Sequence, residues 1–236
     1  MLIYGLQKLS LLDYPGKLAA TVFTGGCNLR CPFCHNASLV TRFSGCKRIS
    51  DEEVFSFLEK RKGLLDGVCI TGGEPLMQED LADFIIKVRA MGFLVKLDTN
   101  GAFPEMLNSL IRRSLLDYVA MDIKNSFEKY PATAGVPGLD TGPVIESIKL
   151  LLQGNVPYEF RTTLVKPLHT SDDLEKMGIA VKGAENYYLQ SFVDSGDLVG
   201  FGKRAESVGF ESFSASEMEH FRTILSKYVQ NVQIRN

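Results

Sequence analysis

Three cysteines fall within eight residues, in a segment that reads TGGCNLRCPFCHN from residue 24 to residue 36. They are Cys27, Cys31 and Cys34, and they come directly after a candidate β-strand. Soft thiolate ligands at this density select zinc or an iron–sulfur cluster. Three thiolates can anchor three irons of a cubane and leave the fourth iron open to a substrate, whereas a structural zinc site needs a fourth closed ligand. Cys46 or His35 would have to supply that ligand, so the spacing leaves both kinds of site open.

Small and charged residues follow three further candidate strands, at the point where each strand ends. The carboxyl ends of parallel strands meet at one edge of a sheet, and barrel enzymes hold their active sites there. Paired glycines also let a backbone approach a ligand closely. The candidate site residues on this basis are Gly72, Gly73, Glu74, Asp98, Asn100, Asp122 and Lys124.

Short β-rich runs alternate along the chain with amphipathic, helix-like segments. The candidate strands cover residues 18–24, 67–71, 94–98, 118–123, 158–164 and 187–192. The candidate helices cover about residues 79–91, 104–113, 141–152 and 171–179, with one more from near Ser216 and one from Ser50, where Glu53 completes a capping box. This alternation predicts an α/β fold, a parallel sheet with helices outside, either as an open barrel or as a doubly wound sheet. No repeat or linker is evident, which predicts a single domain over residues 1–236.

Composition narrows the class of protein. The chain has 236 residues and a formal net charge of −2, with no long basic run, so it carries no electrostatic signature of nucleic-acid or anionic-membrane binding. Its first residues lack the pattern of a signal peptide, and no apolar stretch approaches the ~20 residues of a membrane span. We therefore expect a cytoplasmic protein. An odd count of five cysteines argues against a disulfide framework and for a metal or redox site.

The cysteine segment resembles the signature of the radical S-adenosylmethionine (SAM) superfamily, because it has the form Cys-x3-Cys-x2-Cys with an aromatic residue before the last cysteine. The resemblance implies a partial (β/α)6 barrel, a [4Fe–4S] cluster on the three cysteines, and SAM bound to the unique iron through its amino and carboxylate groups. It also implies that Phe33 and the backbone at His35 pack near the adenine of SAM. The Gly72-Gly73-Glu74 segment is similar to the motif that receives the SAM amino group in this family, and with both motifs present zinc becomes a minor alternative.

Two later segments resemble paired motifs in the activases of glycyl radical enzymes, the branch that includes pyruvate formate-lyase activase. The first reads DTNG from Asp98 and contains Asn100, and the second reads DIK from Asp122 to Lys124. The resemblance implies that the two aspartates hold a monovalent cation against the SAM carboxylate, a role that suits oxygen ligands. Lys124 would balance the same carboxylate. Taken alone, Asp98 could instead be a turn cap and Lys124 a solvated charge.

Three residues of the last strands follow from the same resemblance. Arg161 aligns with a strand arginine that meets SAM, and Gln190 and Phe192 lie where the last strand would close on the cofactor. The alternatives are a structural ion pair for Arg161 and core packing for Phe192.

The segment LLDYPGK at residues 11–17 resembles the activating proteins of anaerobic (class III) ribonucleoside-triphosphate reductase. The resemblance implies electron transfer from flavodoxin or ferredoxin, reductive cleavage of SAM to a 5′-deoxyadenosyl radical, and a glycyl radical on the partner reductase. Another glycyl radical enzyme, such as pyruvate formate-lyase, is an alternative partner, and so is a small-molecule substrate. A non-catalytic iron–sulfur or zinc binding module is an alternative of another class, and it would leave Glu74, Asp98 and Asp122 unexplained.

Overall fold

The structure is a computed structural model that describes residues 1–41, 47–194, 198–199 and 209–235, so Cys46 lies outside the described residues. Its centre is an eight-stranded sheet. The strands are β1 (Ile3–Ser10), β2 (Ala19–Thr24), β3 (Gly67–Gly72), β4 (Leu94–Thr99), β5 (Tyr118–Asp122), β6 (Tyr158–Leu164), β7 (Asn186–Ser191) and β8 (Asn231–Arg235). The helices are α1 (Ala37–Val40), α2 (Asp51–Glu59), α3 (Leu81–Ala90), α4 (Pro104–Arg112), α5 (Tyr130–Thr133), α6 (Gly142–Leu152), α7 (Ser171–Ala180) and α8 (Ala215–Leu225). No described helix is both long enough and apolar enough to cross a membrane.

The strands lie side by side in chain order. β1 pairs antiparallel with β2, and each strand from β3 to β8 pairs parallel with the strand before it. Parallel neighbours need a crossover connection, usually a helix, and the helices between the strands provide it. β1 and β8 form the two edges and are not paired with each other in the described ranges. The predicted α/β class with a mostly parallel sheet is confirmed, and the sheet is open.

Strand β4 illustrates how the sheet separates the core from the site. Val95 and Leu97 are fully buried in the apolar core, together with Phe84 of α3 and Leu107 of α4. Successive side chains of a strand point to opposite faces, so Lys96 and Asp98 share the other face. The strand thus presents apolar residues to the helices and charged residues to the site.

The six predicted strands all occur, and each boundary lies within one residue of its prediction. The predicted capping box also occurs at α2, where Ser50 Oγ accepts the Glu53 N–H at 3.2 Å and the Glu53 carboxylate accepts the Ser50 N–H at 2.9 Å. The sequence did not predict the edge strands β1 and β8. Three consecutive exposed residues interrupt the alternation of β1, and β8 is only five residues long.

Candidate functional site

A cavity of about 270 Å³ opens at the carboxyl ends of the parallel strands. It brings together thirteen of the fifteen residues predicted for the site. Those thirteen are Cys27, Cys31, Phe33, Cys34, His35, Gly72, Gly73, Asp98, Asn100, Asp122, Lys124, Arg161 and Gln190. The loop after β2 supplies the cysteines, Phe33 and His35, and the strands β3 to β7 with the turns that follow them supply the remainder. Glu74 and Phe192 do not line the cavity.

The three thiols of the cysteine loop are free and face this cavity. Burial raises the pKa of the Cys27 thiol to about 11 and that of the Cys31 thiol to about 12, although the Lys124 ammonium opposes the shift at both. The pKa of Cys34 is raised by burial as well. These thiols are therefore protonated at neutral pH in the free protein, and a bound metal would deprotonate them.

The donor set fits an iron–sulfur cubane better than a single zinc ion. In the parts of the chain that the structure describes, no three His, Cys, Asp or Glu side chains converge on a point that could hold one ion. Zinc needs its ligands at about 2.0–2.3 Å from one centre, whereas the cysteines of a cubane bind separate irons. The three thiols lie around one cavity without converging on one point, which is the arrangement that a cubane requires.

The cysteine loop is held against the turn after β3 by backbone contacts. The N–H of Gly73 donates to Thr24 O, and the N–H of Glu74 donates to Gly26 O, both at 2.8 Å. A Cβ at Gly73 would lie 1.9 Å from the Gly26 carbonyl oxygen. The side-chain amide of Asn36 adds a bond to Gly72 O at 3.3 Å. The glycines are therefore required for contact between the two loops, in addition to any approach by a ligand.

The Glu74 carboxylate is fully buried. Its Oε1 accepts from Thr99 Oγ1 at 2.7 Å and from the Leu76 N–H at 3.1 Å, and its Oε2 accepts from the Asn100 N–H at 2.7 Å. Burial raises the pKa of Glu74 to about 7, against the effect of these hydrogen bonds. The side chain thus joins the ends of β3 and β4, and its predicted contact with the SAM amino group stays a prediction.

Asn100 is positioned at the cavity by the bond from its N–H to Glu74 and by the contacts of its own side chain. Its amide Nδ2 donates to Asn28 Oδ1 at 2.8 Å and lies 3.8 Å from Cys27 Sγ, while its Oδ1 accepts the Ala102 N–H at 3.0 Å. The β4 end and the cysteine loop are therefore linked directly, close to one of the candidate cluster ligands.

Five charged side chains form a connected group at the cavity, and we call them the charged group: Lys96, Asp98, Asp122, Lys124 and Arg161. All of them except Lys96 line the cavity. Arg161 joins the two aspartates, with Nη1 at 3.1 Å from Asp98 Oδ2 and Nε at 2.9 Å from Asp122 Oδ1. Lys96 bonds to Asp98 Oδ1, and Lys124 bonds to Asp122 Oδ2 at 2.9 Å. Burial alone would raise the pKa of both aspartates, but these cations outweigh it and hold both pKa values below the ordinary range.

The monovalent cation expected from the sequence does not fit this arrangement. Each of the four oxygens of Asp98 and Asp122 already accepts a bond from a cationic side chain of the same chain. Three cations face two carboxylates within the charged group, and Asp13 adds a third carboxylate to the cavity lining. A metal cation at Asp98 or Asp122 would meet the cationic side chains already bonded there, and these repel it.

The two residues predicted at the end of the last cavity strand lie in different places. Gln190 lines the cavity, whereas Phe192 does not and is buried in the apolar core, as the alternative of core packing expected. β7 ends at Ser191, one residue before Phe192, and the alternation that would have aligned it with Gln190 ends there.

Sequence reasoning did not predict several residues at or beside the cavity, and three of them are polar side chains of interest. Asp13 and Thr163 line it, and His169 lies behind Lys124. The Val165 N–H donates to His169 Nδ1 at 3.1 Å, so the imidazole proton is on Nε2, which donates to the Lys124 carbonyl at 2.8 Å. The alternation of β6 could have indicated Thr163, two residues after Arg161. No local pattern marks His169, which lies 45 residues from its partner.

Comparison with known proteins agrees with this geometry. The family model of the radical SAM superfamily matches residues 21–178. A Methanocaldococcus jannaschii protein that carries the name of a glycyl-radical enzyme activating enzyme is 34% identical over 99% of this chain and 95% of its own length. A pyruvate formate-lyase-activating enzyme of Listeria monocytogenes is 32% identical over 74% of this chain and 73% of its own.

Solved structures share the fold at low sequence identity. A domain of pyruvate-formate lyase-activating enzyme from Bacteroides vulgatus superposes with a TM-score of 0.57 at 18% identity, over 72% of this chain and 99% of its own. SuiB of Streptococcus suis, bound to its precursor peptide SuiA, gives a TM-score of 0.71 at 12% identity, over 92% of this chain and 48% of its own.

Proposed function

Because this chain belongs to the radical SAM superfamily, in its branch of glycyl-radical-enzyme activating enzymes, we propose that it generates a glycyl radical on an anaerobic ribonucleoside-triphosphate reductase. Family membership implies a [4Fe–4S] cluster and SAM. One observation carries the proposal: three free thiols line the same cavity as the cationic side chains of Lys124 and Arg161. The choice of reductase rests on the segment at residues 11–17.

The chain's own residues divide the work of the site between them. Cys27, Cys31 and Cys34 would hold the cluster, which supplies the electron for reductive cleavage of SAM when it is bound. Lys124 and Arg161 present positive charge to the cavity, where the carboxylate of SAM would be attracted. Phe33, which is buried at the cavity, offers an apolar surface for the adenine.

A second partner is supported by one of the relatives. The Listeria monocytogenes protein carries the name of a pyruvate formate-lyase-activating enzyme, which supports pyruvate formate-lyase as the alternative target. Against it, Tyr14-Pro15-Gly16-Lys17 stands where the resemblance to that activase would lead us to expect a Gly-Pro-Gly-x-Arg sequence. Flavodoxin or ferredoxin would supply the electron to either activase.

The test is to mix anaerobically reconstituted protein, SAM, reduced flavodoxin and the anaerobic reductase of the same organism, and to record the electron paramagnetic resonance spectrum. We expect the doublet of a glycyl radical only when SAM is present, and its loss in Cys31→Ala. Cys69→Ala, measured by its iron content, is the matched control for cluster binding, since Cys69 is buried and does not line the cavity. A doublet on pyruvate formate-lyase but not on the reductase would refute the proposed target and leave the activase chemistry standing.

A further inference from the structure

Lys96 is a buried lysine in the middle of a strand. Its side chain is 2% exposed, and its neighbours Val95 and Leu97 are fully buried in the apolar core. Burying an ammonium is costly unless an opposite charge compensates it. Among the described residues, the ion pair with Asp98 is the only one in which Lys96 takes part. The charge of Lys96 is thus compensated by Asp98, which lines the cavity, while Lys96 itself lies behind the lining.

Lys96 places its ammonium at Asp98, one of the two carboxylates expected to hold a cation. Its Nζ bonds to Asp98 Oδ1, and Cys69 Sγ lies within 4 Å of both partners. An ammonium carries the same unit charge as a monovalent metal ion and has three N–H donors with which to satisfy oxygen acceptors. A metal ion that entered beside Asp98 would meet Lys96 and Arg161 at the same carboxylate, and like charges repel strongly in a site of low dielectric.

We propose that the ammonium of Lys96 takes the place of a monovalent metal ion at Asp98, so that SAM binding by this enzyme requires no particular monovalent ion. The inference rests on the proposed function, because SAM is the ligand whose carboxylate the charged group would receive. Because the ammonium belongs to a side chain of the protein, its charge is in place once the chain has folded. The positive charge beside Asp98 is then independent of the ion composition of the solvent.

The first test measures SAM affinity in the unmodified enzyme. Anaerobically reconstituted protein is titrated with SAM by isothermal calorimetry in potassium, sodium and tetramethylammonium chloride at equal ionic strength. We expect the Kd to stay within about twofold across the three salts, because the site charge is built in. A Kd that is weaker by about tenfold or more in tetramethylammonium than in potassium would overturn the inference.

Variants then locate the effect. Lys96→Met keeps the length of the side chain and removes its charge, so we expect SAM affinity to fall about tenfold in tetramethylammonium and to recover in potassium or sodium. The double variant Lys96→Met/Asp98→Asn removes the carboxylate as well, and its affinity should not respond to the identity of the ion. Lys149→Met, at an exposed position of α6, is the matched control and should behave as the wild type.

The outcomes separate this inference from the proposed function. If Lys96→Met binds SAM equally in all three salts, Lys96 does not stand in for an ion and the inference is wrong. If Lys96→Met does not fold, the wild-type titrations decide by themselves. No SAM binding by the wild type in any salt would refute the proposed function together with the inference, whereas ion-dependent binding by the wild type would refute the inference alone.

Discussion

Replacing Gly73 with alanine should displace the cysteine loop, and the size of the effect follows from one distance. The added Cβ would lie 1.9 Å from the Gly26 carbonyl oxygen, whereas real Cβ atoms essentially never approach closer than 3.0 Å. The two loops must therefore separate by about 1 Å, which breaks or weakens the two 2.8 Å backbone hydrogen bonds between them. We expect the free energy of unfolding to fall by about 2–4 kcal/mol, from these bonds and the accompanying strain.

Two measurements follow this displacement. Urea unfolding of the metal-free protein gives the loss of stability, and iron analysis after anaerobic reconstitution should give well below the roughly four irons per chain expected of one cubane. Gly183→Ala is the matched control, because Gly183 has φ +92° but nothing within 4 Å of an added Cβ. It should cost about 1 kcal/mol of backbone strain and leave the iron content unchanged. If Gly73→Ala loses no more stability than this control and still loads four irons, loop contact does not position the cysteines.

Three further predictions concern the cluster, the buried Glu74 carboxylate and the charged group. Alanine substitution of Cys27, Cys31 or Cys34, the cysteines that line the cavity, should abolish binding of iron and sulfide, whereas Cys69→Ala should keep it. Stoichiometric zinc without iron–sulfur absorption would refute the cluster. Because burial raises the pKa of Glu74 to about 7 from 4.5, the folded protein retains a proton there that the unfolded chain releases, and stability falls as pH rises between these values. Glu74→Gln lacks this slope, so urea unfolding from about pH 5 to pH 8 should show the wild type losing about 2.5 kcal/mol relative to the variant, whereas parallel pH profiles would contradict the assignment. Arg161→Gln should weaken SAM binding about tenfold or more, measured by calorimetry, while Arg112→Gln, at an exposed position of α4, should not change it.

Local signals were sufficient for the parallel strands and for most of the cavity wall. Buried strands in this sheet are short apolar runs that end at polar residues, as at Thr99 and Asp122. Since the carboxyl ends of parallel strands meet at one edge, each strand end that carried a polar residue could be assigned to a common site without knowledge of the strand order.

Lys96, Glu74 and Phe192 could not be predicted in the same way, because contacts distant in sequence decide their environment. A lysine in an apolar strand is ordinarily exposed, and Lys96 is buried because Asp98 shares its face. The Glu74 carboxylate accepts hydrogen bonds from Thr99 and Asn100, which lie 25 and 26 positions later in the chain. β7 ends one residue before Phe192, and the side chain of Phe192 packs in the apolar core rather than lining the cavity.

The backbone bonds between the cysteine loop and the turn after β3 separate assembly of the polypeptide from loading of the metal. Small zinc domains are unfolded without their ion, since the ligands are brought together only by the metal. Here the loop is fixed by the peptide groups of Thr24, Gly26, Gly73 and Glu74, and none of these bonds involves a thiol. A chain that loses its cluster to oxygen would keep the conformation of the cysteine loop. A new cluster could then bind to the same chain, without refolding or new synthesis.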